Sequence, residues 1–168
     1  KLRGQADPMQ EVFNAPTPDF SCERRDASTV TPQVFALFNS QASLARSLAL
    51  AKRVLEEAKD EKTAIQRLFM LVLGRVPEEA EVAACLEHWR AMVPVQEKAV
   101  YATFEPPLTV RREAVEENTG EKFSFDEKLH AYADFVPDLQ PGDCDARTRA
   151  FADVCLALLN ANEFVYVY

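Results

Sequence analysis

The sequence predicts a mainly α-helical single domain over residues 1–168. It should be a bundle of five to seven helices with two long ordered loops and a minor β pairing near the C-terminus. Three observations predict this. Thr63–Val93 reads as two helices joined by a tight turn. Apolar residues recur at helical spacing on both sides of it, over 34–55 and 151–159. The 168 residues are 48% hydrophobic with only 4 Gly, enough apolar material for one buried core.

The first element is a short helix over Pro8–Phe13. Asn14–Val30 then lacks helical period and holds Pro16, Pro18 and the pair Arg24–Arg25. A loop this long is functional or pinned by side chains. Phe20, Cys22 and one arginine are the pins. Arg24 and Arg25 read either as arginines bonding loop carbonyls or as an exposed pair gripping an anionic ligand.

Thr31-Pro32 starts the next helix, with a hydroxyl at the N-cap and Pro at the first position. Val34, Phe35 and Phe38 are expected to face inward. Asn39-Ser40 interrupts the helix, and Ser40 caps the segment carrying Leu44, Leu48, Ala51 and Leu55. In the central pair, Ile65, Leu68, Phe69 and Val72 share one face. Gly74 suits a left-handed helix stop, and Pro77 suits the next helix start. Val82, Cys85, Leu86, Trp89 and Val93 form the second inner face, and Pro94 is expected to end that helix.

The turn sequence Leu-Gly-Arg-x-Pro reads as a helix stop and start or as a binding motif. Arg75 is its one residue with chemistry to spare. It is a candidate ligand holder, or a cap on the first helix's carbonyls.

Residues 95–105 are expected to hold a short helix with Val100, Tyr101 and Phe104 inward, ended by Pro106-Pro107. Val110–Asn118 fits a short exposed helix, although Leu108 and Val110 also alternate. Phe123 and Phe125 read as a two-residue strand or as loop anchors. Leu129–Phe135 resumes a helical pattern, and Val136–Cys144 is the second long loop. Asp143 or Asp145 then caps a helix through Asn160, with Phe151, Val154, Cys155, Leu158 and Leu159 buried. Asn160 and Asn162 suit a left-handed helix end. The β-prone tail Phe164–Tyr168 is expected to pack on the domain, pairing with part of the first loop.

Net charge is −8, and 97–168 carry most of it. An acidic surface repels phosphate backbones, so nucleic acid is not an expected partner. No apolar run is long enough to span a bilayer, and no basic amphipathic helix suggests membrane insertion. Cys22, Cys85, Cys144 and Cys155 show no C-x-x-C spacing. Cys85 and Cys155 lie on apolar helix faces as buried thiols. Cys22 and Cys144, in loops, are the disulfide candidates, although four cysteines allow three pairings. His88 and His130 have no second ligand at helical spacing, so no metal site is expected. No nucleotide, hydrolase or metalloprotease motif is present. The carboxylates around Glu116, Glu117, Glu121, Asp126 and Glu127 read as a solvated face rather than an acid–base pair. No catalytic residue is assigned.

Three motifs carry a family resemblance. Cys22-x-x-Arg25-x-x-x-Thr29-x-Thr31-Pro32-Gln33 precedes Leu37-Phe38-Asn39-Ser40. Leu68 leads into Leu73-Gly74-Arg75-x-Pro77-x-x-x-Glu81. The end is Cys155-x-x-Leu158-Leu159-Asn160-x-Asn162-Glu163-Phe164. Together they resemble a C-terminal domain of unknown function in planctomycete secreted proteins, many of which carry a cytochrome c-type haem module nearer the N-terminus. Ala161 departs from the Ser expected there. The resemblance implies export and a redox neighbour, but no activity and no catalytic residue. The haem attachment signature is absent, so no cofactor is expected in this chain.

With no initiator Met, the chain is expected to be a C-terminal fragment of a longer multidomain protein. The function expected is a non-catalytic structural or interaction domain whose partners are other domains of the parent chain. The alternative is a substrate-binding or catalytic part of an extracellular polysaccharide-processing protein. Its site would lie between the first loop and the acidic C-terminal half.

Overall fold

The computed structural model describes residues 8–16, 22–24, 31–103 and 105–166. It is mainly helical. The α-helices are α1 (Pro8–Val12), α2 (Thr31–Asn39), α3 (Gln41–Glu57), α4 (Glu61–Val72), α5 (Glu79–Lys98), α6 (Ala146–Leu159) and α7 (Asn162–Val165). Strands β1 (Thr109–Val115) and β2 (Lys122–Lys128) form one antiparallel hairpin. Short 3-10 turns lie at His130–Tyr132 and Pro141–Asp143.

Helix α6 is the centre of the bundle and packs most extensively on α3 and α5. Phe151, Val154, Cys155 and Leu158 are buried, as the spacing predicts, with Ala150 beside them, while Leu159 is only half-buried. The other core walls are Leu48, Ala51 and Val54 of α3, Ile65, Leu68 and Phe69 of α4, and Val82 and Trp89 of α5. Trp89 and Phe151 rings lie 4.3 Å apart, and the Trp89 indole donates to the Arg147 carbonyl at 3.0 Å. The indole thus buries its ring without orphaning its N–H.

Local caps set the helix limits. Ser40 accepts from the Ser43 amide, Asp60 from Thr63, and Asp145 from Thr148, each satisfying a first-turn N–H. Gly74 closes α4 at φ 70°, where a Cβ would be strained. Glu78 is the N-cap of α5, so Pro77 sits one residue before the cap rather than inside the helix. Pro77 and Val82 are both buried and occupy the positions of a hydrophobic staple.

Several expectations are corrected. Helix α5 continues through Pro94 to Lys98. Pro94 removes one amide donor, but Arg90, whose carbonyl it would have served, is exposed and open to water. The turn beyond Pro94 is held by Gln96, whose side chain and carbonyl both bond α6. Among the described residues of 99–105 there is no helix, and Val100 is 96% exposed. Phe104 lies outside the described residues. Val110–Asn118 is not helical. It belongs to a hairpin of seven-residue strands in which Ala114 pairs with Phe123 and Arg112 with Phe125. This hairpin, not the C-terminal tail, supplies the sheet, and Asn162–Val165 of the tail is helical. Leu129–Phe135 holds only the single turn His130–Tyr132. Asn160 ends α6 at φ −108°, not left-handed, with its side-chain amide donating to the Leu156 carbonyl. Val34, Phe35 and Phe38 do not face inward, and α2 contains no buried residue. Helical periodicity marks which side is apolar, but not whether anything covers it.

Candidate functional site

Arg75 bonds two carboxylates at the α4–α5 turn. Gly74 turns the chain so that Arg75 leaves the end of α4 and lies over the Phe69 ring, 5.3 Å from its centroid. Its guanidinium grips Glu81 through Nη1 and Nη2 at 2.8 and 2.7 Å. It grips Glu163 through Nε and Nη2 at 2.6 and 2.9 Å. Nη1 also donates to the Val76 carbonyl at 3.3 Å. These contacts use all five N–H groups of an arginine. Glu81 in turn accepts from the Glu78 amide at 2.7 Å, which caps α5. The Arg75 bonds, with that amide bond second, hold the Glu81 carboxyl down at about 2. Arg75 is therefore a tie between the helix turn and α7 and leaves no N–H for an external ligand.

The other sequence candidates do not assemble. Arg24 is exposed, and among the described residues its side chain pairs with no carboxylate. Arg25 lies outside the described residues. Cys22 and Cys144 are not joined. All four cysteines are free thiols, and the exposed Cys22 donates to the Arg24 carbonyl at 2.9 Å. Burial pushes the Cys85, Cys144 and Cys155 thiols up, most strongly for Cys155, so they are poor nucleophiles.

Asp126, Glu127 and Glu116 bond within the hairpin. Arg111 meets Asp126 at 3.2 Å, and Arg112 meets Glu127 at 2.7 Å. Glu116 accepts from the Thr119 and Asn118 amides of the turn, and the Thr119 hydroxyl, followed by these amides, holds its carboxyl down at about 2. A carboxyl held ionised in this way is a poor general acid. Among the described residues, no group of three or more His, Cys, Asp and Glu side chains is placed to hold a metal ion. No described helix is long and apolar enough to cross a membrane.

One concavity of about 440 Å³ lies on the hairpin at Glu113, Val115, Lys122 and Phe123, and two others adjoin each other on the bundle. A groove of about 650 Å³ runs between Leu44, Ala45 and Leu48 of α3 and the segment Phe135–Pro141. Beside it, a cavity of about 200 Å³ shares Leu44, Leu48 and Pro141 and ends in polar groups. Here Tyr101 donates to the Gln96 side-chain oxygen at 2.8 Å, and the Gln96 amide donates to Asp153 at 3.3 Å. Arg149 donates to the carbonyls of Pro141 at 3.1 Å, Gln96 at 2.8 Å and Cys144. It also stacks 5.0 Å from the Tyr101 ring centroid. Burial pushes the Asp153 carboxyl up, against smaller opposing effects from Gln96 and His88. The sequence reading missed this cluster. Its one signal was a pair of opposite charges, Arg149 and Asp153, inside the helix with the most buried residues.

No curated protein and no solved structure matches the chain. A family model does match, over residues 1–89. That span takes in the Gly74–Pro77 turn and α5 as far as Trp89, and leaves the hairpin and α6 beyond it. On that match the chain belongs to the PSD1 family, described as a protein of unknown function (DUF1553).

Proposed function

We propose that this domain is a non-catalytic interaction module of an exported multidomain protein, docking onto other parts of its parent chain. The resemblance read in the sequence makes a cytochrome c-type module one of those parts. The observation that carries the reading is α2. Its nine residues contain no charge, none is buried, and Phe35 is 63% exposed with Val34 and Phe38 beside it. A helix left uncharged and apolar on its outer side is unstable in water without a cover. The groove next to it continues the same apolar face through Leu44 and Phe135.

The chemistry described above supports a docking role over a catalytic one. Arg75 and the hairpin carboxylates are engaged within the chain, and Arg24 meets no carboxylate among the described residues.

The test is co-sedimentation of this chain with the remainder of the parent polypeptide, followed at the haem absorbance band. Co-migration is expected, and Phe35→Glu should abolish it while leaving the helical circular dichroism unchanged. Absence of co-migration with the unaltered chain, or equal co-migration of Phe35→Glu, would falsify the docking role.

A further inference from the structure

We propose that the β1–β2 hairpin is a self-association arm: β2 of one copy pairs antiparallel with β2 of a second copy, about a two-fold axis at Ser124. This arm is separate from the apolar face of α2.

The ladder fixes which backbone groups are free. The Glu116 amide bonds the Glu121 carbonyl and the Leu129 amide bonds the Leu108 carbonyl, in the register that sets Phe123 against Ala114 and Phe125 against Arg112. Bonded positions alternate along an antiparallel pair, so Phe123, Phe125 and Glu127 turn their backbone groups toward β1. Lys122, Ser124, Asp126 and Lys128 turn theirs outward, and no other described residue bonds those outward groups. A two-stranded sheet is marginal in water, and an open edge is a template for another strand.

The partner follows from the side chains along that edge. Phe123 and Phe125 flank Ser124 directly, and Lys122 and Asp126 flank it one position further out. A two-fold at Ser124 therefore sets Phe123 of each copy opposite Phe125 of the other, and Lys122 of each opposite Asp126 of the other. The aromatic pairs fall at the non-hydrogen-bonded sites, where side chains come closest. The outward backbone groups of Lys122, Ser124 and Asp126 fall at the hydrogen-bonded ones. Both rings are about half exposed in the single chain, so the pairing buries apolar surface. Lys122 has no carboxylate partner among the described residues, and Asp126 spends only Oδ1 on Arg111. At the ends Glu121 faces Glu127 of the other copy, and Arg112 already neutralises that Glu127.

Other pairings are poorer. A two-fold at Phe125 sets Lys122 against Lys128. On β1, a two-fold at Arg111, Arg112 or Glu113 sets a like charge against itself. Pairing β1 with β2 leaves an open edge at each end and does not close. Lysine alone would guard the edge against other strands, but an aspartate at the mirrored position supplies its mate.

Sedimentation velocity on the whole chain, from about 1 μM to about 1 mM, should show a reversible monomer–dimer equilibrium with single copies at the dilute end. Lys122→Asp and Asp126→Lys should each weaken the dimer at least tenfold, with the helical circular dichroism unchanged. An equimolar mixture of the two variants should recover it, because the mixture restores opposite charges at both mirrored positions. Phe35→Glu should leave the dimer intact, which separates this contact from docking at α2. Five outcomes overturn the assignment: a monomer across the whole range, a dimer indifferent to both charge reversals, no recovery in the mixture, loss of the dimer in Phe35→Glu, or assembly beyond two copies.

Discussion

Arg75 and Glu163 are separated by 88 residues in sequence and joined by two hydrogen bonds of 2.6 and 2.9 Å. The same guanidinium holds Glu81 at the start of α5, so one side chain links the α4–α5 turn to α7. Both carboxylates are partly exposed, and exposed ion pairs contribute little unless the geometry is bidentate or networked. This one is both. Arg75→Lys keeps the charge and loses the fork. It should speed amide exchange in α7 and lower the melting temperature by a few degrees. Unchanged α7 exchange in Arg75→Lys would show that the tie is incidental.

The same network sets an acid limit. The Arg75 and Glu78 bonds hold the Glu81 carboxyl at about 2 in the folded chain, against 4.5 for an unperturbed glutamate. Its folded value is depressed, so the unfolded chain binds more protons between those two values. The stabilisation is complete above the unfolded value and is lost as pH falls toward about 2. Glu81→Gln should therefore flatten the melting temperature's dependence on pH in that window. A slope as steep as that of the unaltered chain would place the acid sensitivity elsewhere, with Glu116 the next group to examine.

How much of this was legible depended on whether the cause was local. Ser40 and Gly74 act within a turn of their own helix, and both were readable as a cap and a left-handed stop. The stripe Phe151–Leu158 was readable because one face of α6 is buried along its length. The hairpin was not readable. Phe123, Phe125, Arg111 and Arg112 all remain exposed, so no alternation of apolar and polar residues marks two faces. The Arg149 cluster was hidden for a different reason: its walls come from α3, α5, the 101 and 141 segments and α6, and no spacing rule joins them. The sequence marks Arg75 as a residue with chemistry to spare, a ligand holder or a cap on carbonyls. Its use within the chain depends on Glu163, far beyond any local pattern.

Trp89 and Phe151 test the core. Trp89 is 1% exposed, and its ring contact with Phe151 joins α5 to α6. Trp89→Ala removes that contact and opens a cavity against the central helix, a change that costs about 3–5 kcal/mol in such sites. Trp89→Phe should cost less, because a six-membered ring remains, although the rest of the indole and its bond to the Arg147 carbonyl are lost. Urea denaturation should rank the unaltered chain above Trp89→Phe, and Trp89→Phe above Trp89→Ala. Equal midpoints for the two variants would mean that the indole N–H, not the ring, holds the helices together.

The β1–β2 hairpin should open before the bundle does. Its strands pair with each other and make few contacts with any other described element. An isolated two-stranded hairpin is marginal in water, and the cross-strand pairs Arg111–Asp126 and Arg112–Glu127 are solvent-exposed. The Phe123 and Phe125 rings stack 6.0 Å apart yet remain about half exposed, so they add little burial. Amide exchange over 109–128 should then be faster than in α6 by orders of magnitude, with a free energy of opening well below that of global unfolding. Phe125→Pro, which removes the ladder donor opposite Arg112, should abolish the remaining protection there and leave the urea midpoint of the bundle unchanged. A fall in that midpoint would show that the hairpin is part of the cooperative core rather than an independently opening arm.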